Sequence, residues 1–246
     1  MGEDEEFFEN RQLRMFFLVV GVIILFILLF LGGLTAFSYY LYRDSFSSSY
    51  DYEASIYASG SLENVEIYLP VASLNGPYYS DYVVSSEEWE VSHVDVDGYT
   101  MLKLENENAT AERRTRYDGS KFLELSFTVE NRTNTDRRVS TEDPFGEEPM
   151  LRPRRNLDEV DCFGRREYEK CYEYRTHVKL DLETDDSTET SIRLTNRGQN
   201  EWWVFGWSWN YYEEELLVED LYGNKEGWKN ASVRLKTNHG SYPFWG

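Results

Sequence analysis

The sequence predicts a mainly β protein: one transmembrane helix followed by an antiparallel β-sandwich. Three observations lead there. Met15–Tyr42 is 28 residues without a charge. The roughly 200 residues after it alternate apolar and polar side chains in short runs. Tyr, Phe and Trp together make up 16% of the chain, a bias that favours strands over helices.

The first 14 residues, MGEDEEFFENRQLR, form an acidic tail expected to stay in the cytoplasm, disordered or as an extension of the helix. Met15–Phe37 supplies 23 apolar or neutral residues, and about 20 helical residues cross a hydrocarbon core. Tyr39, Tyr40 and Tyr42 follow, as an interfacial aromatic belt would. The alternative is a cleaved signal, for which Ala36-Phe37-Ser38 offers a small-x-small site, although a signal's apolar region is shorter. Arg11 and Arg14 precede the span and Arg43 follows it, which favours an inside N-terminus. Residues 43–51, RDSFSSSYD, read as a flexible stalk, and 52–246 as the extracytoplasmic body.

Within the body, Glu63–Leu69 alternates Val65, Ile67 and Leu69, with Pro70 expected to end the strand. Ser92–Leu104 is two alternating runs joined by Asp97-Gly98, a two-residue hairpin signal. Lys121–Glu130 places Leu123, Leu125, Phe127 and Val129 on one face. Cys171–Glu183 does the same with Tyr172, Tyr174, Val178, Leu180 and Leu182. Thr188–Leu194 and Ala231–Thr237 are shorter repeats of the pattern, and Trp202–Val218 is long enough for one bent strand or two. Nine or ten strands result, with no amphipathic helix. Residues 141–161 hold Pro144, Pro149 and Pro153 and read as a long crossover or an internal boundary.

VEIYLP and GYTML resemble uncharacterised archaeal envelope proteins with one membrane helix and an exported β-domain. The resemblance implies an archaeal source and a surface location, and it carries no activity. A net charge of −20 fits that picture and argues against nucleic-acid partners.

Cys162 and Cys171, the two cysteines, suit a disulfide staple around an eight-residue loop; a metal or redox site is the alternative. Asn108, Asn131 and Asn230 begin N-x-[ST] sequons and are glycosylation candidates. In WWVFGWSWNYY, Trp203, Phe205, Trp207 and Trp209 alternate as core residues would. In the other register, Trp202 would face out, and with Trp207 and Trp209 it is a candidate binding set for a sugar or protein; Trp228, Phe244 and Trp245 extend either set. Arg152, Arg154 and Arg155, with Arg165 and Arg166, form a basic island able either to bind a carboxylate or phosphate or to neutralise nearby acids. His93-x-Asp95-x-Asp97-Gly98 has a faint calcium-loop spacing that the hairpin also explains.

No nucleophile elbow, metalloprotease pair, P-loop or dinucleotide fingerprint is present in the sequence, which leaves no residue to assign as catalytic and no cofactor. The expectation is a single-pass, non-catalytic interaction module with a lipid bilayer and a surface protein or glycan as partners. A carbohydrate-binding or glycoside-hydrolysing module built on Trp202–Tyr212 stands second, and a structural spacer third.

Overall fold

Alternating side chains dictate the architecture, because a strand with one apolar face must bury it against another strand's apolar face. The computed structural model describes residues 3–73, 83–85, 88–115, 119–135, 137–142, 144–162 and 168–243. In chain order it contains helix α1 (Glu3–Ser45) and strands β1 (Ser47–Ala58), β2 (Leu62–Ser73), β3 (Val83–Val84), β4 (Glu90–Val96), β5 (Tyr99–Ala109), β6 (Glu112–Thr115) and β7 (Lys121–Thr135). A short helix α2 (Pro144–Glu147) follows, then β8 (Met150–Arg152), β9 (Arg155–Val160), β10 (Lys170–Glu183), β11 (Glu189–Trp203), β12 (Gly206–Tyr222) and β13 (Trp228–Pro243).

The chain forms two compact units. One holds the helix, Phe46 and the tip of the β11–β12 hairpin, Trp202–Trp207; the other holds Ser47–Glu201 and Ser208–Ser241. In the first, α1 carries a 31-residue candidate membrane span, Met15–Ser45, whose most apolar window is wholly unburied. Residues such as Phe26 and Leu29 are 71% and 66% exposed. This is the one helix among the described residues long and apolar enough to cross a membrane.

In the second unit the sheet is antiparallel. Its main path runs β3-β7-β1-β11-β12-β13-β10-β2-β5-β4, with β6 added to β7, β8 to β2 and β9 to β10. Strands β3 and β4 stand at opposite ends of this path, yet only five residues separate them in sequence. Ten flat strands would put those edges about 43 Å apart at about 4.8 Å per step. Six chain steps reach at most about 22 Å. The sheet is therefore strongly curled, and Trp89, just before β4, stacks on Phe127 of β7 with ring centroids 4.3 Å apart. The sequence led to two facing sheets; the structure has one curled sheet whose inner face does the same work. Ile56, Ile67, Leu104, Phe127, Leu180, Ile192, Leu216 and Val233, from eight strands, meet there at 1% exposure or less. Each such side chain contributes roughly 1.5–3 kcal/mol by leaving water.

Several sequence readings hold. Asp97 (φ 53°) and Gly98 (φ 82°) make the two-residue turn between β4 and β5, both in the left-handed conformation that such a turn needs. On β10, Tyr174, Val178, Leu180 and Leu182 point inward. Others need correction. The stalk over 43–51 is absent: α1 runs to Ser45, β1 starts at Ser47, and Tyr50 is fully buried. Pro70 does not end β2. The strand runs on to Ser73: Pro70 pairs in register with Met101 of β5, and on the other edge it falls between the part paired with β10, up to Tyr68, and the part paired with β8, from Val71. Leu123 is 43% exposed, because β1 pairs with β7 only from Leu125 onward. Residues 141–161 are not a loose boundary; they form α2, β8 and β9, and Met150 and Leu151 are wholly buried.

A buried polar lattice explains that last correction. Glu148 and Glu214 are 1% and 0% exposed. Glu148 accepts hydrogen bonds from Tyr50 Oη at 2.5 Å and Ser140 N at 2.7 Å. Glu214 accepts from Tyr174 Oη, from Asn196 Nδ2 at 2.6 Å and from Leu151 N at 3.0 Å. Pro149 O accepts from Asn196 Nδ2 at 3.0 Å and Tyr212 Oη at 3.1 Å. The segment around Pro149 is thus fastened across the core by side chains of β1, β10, β11 and β12, which satisfies polar groups that burial would otherwise leave costly.

Candidate binding cleft

The outer face of the sheet carries an ordered row. Lys103 on β5 pairs with Tyr68 on β2, Tyr68 with Lys179 on β10, and Lys179 with Trp228 on β13. Side chains in register on one face lie close enough to interact. Lys179 Nζ lies 4.8 Å and Lys103 Nζ 5.6 Å from the Tyr68 ring centroid, within cation–π range. The Tyr68 and Trp228 rings are 6.2 Å apart. Acids complete the row: Lys103 bridges Glu66 at 2.8 Å and Glu105 at 2.7 Å, and Lys179 bridges Asp181 at 2.5 Å. The Lys103 hydrogen bond holds the Glu66 carboxyl below its ordinary range, and burial raises the Tyr68 phenol above its own.

Beside this row lies a concavity of about 240 Å³ lined by Val96, Asp97, Tyr99, Met101, Pro153, Arg155, His177 and Trp228. Local sequence builds it from three directions. The Asp97-Gly98 turn brings Val96 and Tyr99 to the rim. The link between β8 and β9, with a cis Arg152–Pro153 bond, supplies Pro153 and Arg155. His177 comes from β10 and Trp228 from the start of β13, their rings edge to face at 6.5 Å and 82°. Tyr99 and Trp228 remain 40% and 43% exposed, while Met101 is buried in the floor. Apolar floor, two open rings, one guanidinium, one imidazole and one carboxylate suit the capture of a single side chain or sugar ring. The volume falls short of the roughly 300–1,000 Å³ of ordinary small-molecule sites.

The structure separates the basic island. Of its described members, Arg155 lines the cleft and Arg152 and Arg154 do not. Arg152 Nε donates to Ser73 O at 3.2 Å, and the Arg154 guanidinium lies 4.6 Å from the Phe145 ring centroid and 6.0 Å from that of Tyr174. Arg165 and Arg166 lie outside the described residues, as do Phe244 and Trp245. The three described arginines of the island thus have different partners, and the island does not act as one basic surface.

The aromatic run is neither an alternating core strand nor a flat platform. Val204 and Phe205 form a turn, with Phe205 at φ 53° and Val204 N donating to Gly206 O at 3.0 Å. The alternation breaks there. Phe205 and Trp207 are 44% and 53% exposed, whereas Tyr211 and Tyr212 are buried. Trp209 is half-buried and stacks on Tyr211 at 5.5 Å. Trp202 packs on Tyr42 and Phe46 of the helix end, at 6.2 and 6.5 Å. None of Trp202, Trp207 and Trp209 lines the cleft.

Cys162 and Cys171 form a disulfide with Cα atoms 5.3 Å apart, joining the end of β9 to the start of β10. Asn108 and Asn230 are exposed, as a glycan needs. Asn131 is only 9% exposed on the inner side of β7, and Thr133 Oγ1 donates to its side chain at 3.3 Å; it is no site for a glycan in the folded protein. Asp95 accepts from Thr100 Oγ1 at 2.9 Å within the hairpin. Among the described residues no group of three or more His, Cys, Asp or Glu side chains is placed to hold a metal.

Comparison with family models, with curated proteins and with solved structures finds no match for this chain.

Proposed function

We propose that the chain is a single-pass membrane protein displaying a non-catalytic binding module outside the cytoplasm. The observation that carries the binding role is the cleft where the half-exposed rings of Tyr99 and Trp228 meet Arg155 and His177. Exposed aromatic and Arg side chains at the edge of a rigid scaffold are the residue types that dominate recognition energies. The partner is a protein segment that lays an apolar or aromatic side chain on Trp228 and a carboxylate on Arg155. A planar guanidinium matches a carboxylate with two parallel hydrogen bonds.

The anchor reading draws on the unburied apolar helix, which runs without a break through Ala36–Ser38, the stretch a signal peptidase would have to cut. The disulfide and the two exposed sequons favour an oxidising, exported setting for the body. Arg11 and Arg14 favour a cytoplasmic N-terminus. The archaeal source implied by the resemblance accords with the strongly acidic charge, since high salt screens self-repulsion.

A glycan partner is the second reading, because the two open rings of the same cleft also suit a sugar face. The test is calorimetric titration of the full chain in lipid nanodiscs with acidic aromatic peptides and with neutral and acidic oligosaccharides. Peptide binding weakened at least about tenfold by Trp228→Ala and by Arg155→Ala supports the module. Binding confined to oligosaccharides puts the glycan reading in its place. Binding that neither substitution alters places the site elsewhere.

A further inference from the structure

The helix end and the β11–β12 hairpin tip belong to one compact unit, and their contacts set a common depth. Ser45 Oγ accepts the Trp203 N–H at 2.8 Å and lies 3.0 Å from Trp203 O. One hydroxyl thus clasps the last residue of β11. Trp202 packs on Tyr42 and Phe46, and Phe205 on Phe37 at 6.3 Å. Phe37 and Tyr42 are five helical residues apart, so Phe205 lies about 7.5 Å further along the helix axis, toward its apolar middle, than the Tyr42 contact. Phe37 is the last residue of the 23-residue apolar run. The tip therefore runs alongside the span, past the tyrosines that follow it.

The tip's exposed residues match that depth. Phe205 and Trp207 are 44% and 53% exposed, and Phe37, which packs on Phe205, is 52% exposed. No charged side chain occurs in Trp202–Trp207. Hairpin turns in water normally carry Gly, Asn or Asp; here Val204 and Phe205 hold those positions, with Phe205 kept in a left-handed conformation that a bulky residue rarely adopts. Keeping an aromatic at that turn makes physical sense if its surroundings are not water.

We propose that the Trp202–Trp207 hairpin tip is a second lipid-contacting element, with Phe205 and Trp207 entering the boundary between headgroups and acyl chains beside the helix. Interfacial insertion of apolar side chains reaches about 5–10 Å into that boundary, which is comparable to the rise along the helix between the Tyr42 and Phe37 contacts. Trp at this level places its ring among the acyl chains and its N–H among the headgroups. The tip fixes the tilt and rotation of the single span relative to the bilayer, which one helix alone leaves free. This inference rests on the reading of α1 as a spanning helix.

The test uses the full chain in liposomes with one engineered cysteine at a time, Phe205→Cys, Trp207→Cys or Ile27→Cys, carrying an environment-sensitive fluorophore. The native cysteines are paired and stay silent without reductant. Each label is challenged with lipids bearing a nitroxide near the glycerol or deep in the chain, and with aqueous iodide. The expected result is that the Phe205 and Trp207 labels lose most of their emission to the shallow nitroxide and little to iodide, while the Ile27 label responds to the deep nitroxide. Labels at 205 and 207 quenched by iodide and untouched by lipid nitroxides, with Ile27 still in lipid, overturn the inference and leave the anchor standing. An Ile27 label open to iodide overturns both. Both tip side chains are exposed, so neither substitution opens the core, and two positions guard against one failing.

Discussion

Two buried carboxylates couple the stability of this protein to pH. Burial pushes the Glu214 carboxyl up, and the hydrogen bonds from Tyr174, Asn196 and the Leu151 N–H pull part of that shift back. Burial likewise raises Glu148, opposed by Tyr50 and Ser140 N–H. A carboxyl whose folded pKa exceeds its unfolded value keeps its proton longer in the fold. Stability is then greatest below the unfolded value, about 4.3 for Glu, and declines as pH rises through the folded one. Glu214→Gln removes that titration. Denaturant melts of wild type and variant from pH 4 to 8 are expected to show a flatter pH dependence in the variant, and equal slopes would show that Glu214 has no raised pKa. The sequence held a partial cue: Tyr212, Glu214 and Leu216 share one face of β12 by simple alternation, and all three are fully buried. Composition hid it, because Glu213-Glu214-Glu215 looks like a solvated run.

Among the elements, those specified by local chemistry were legible and those specified by distant partners were not. Asp97-Gly98 determines its own turn, and the strand faces of β10 and the end of β7 follow from period-two patterning. The 141–161 segment carries no such periodicity. Its order comes from Asn196, Tyr212, Glu214 and Tyr50, far away in sequence, so it read as a loop. The WWVFGW stretch misled for a related reason, since a two-residue turn hidden among aromatics resets the alternation. The cleft was least legible. Arg155 was a candidate within a cluster that the fold disperses, and Trp228, Tyr99 and His177 come together through the β5-β2-β10-β13 order of the sheet. One close packing at this scale is directly testable. A Cβ on Gly198 of β11 would overlap the Tyr212 ring, which is 0% exposed. Gly198→Ala is expected to cost about 1–3 kcal/mol in a urea melt, against the small gain that Ala usually brings to a strand. No loss of stability would mean that the Tyr212 ring can move.

At the scale of the whole chain, the protein combines a helix whose most apolar window is unburied with a polar, disulfide-closed, curled sheet. Those two surfaces suit two different solvents, and the proposed membrane anchoring rests on that mismatch. The most direct measurement is thiol labelling on intact cells with a membrane-impermeant maleimide, with and without reductant. Cys162 is exposed and paired. The account predicts labelling of intact cells only after reduction. Labelling without reductant, and only once cells are permeabilised, would place the sheet in the cytoplasm with free thiols and contradict it.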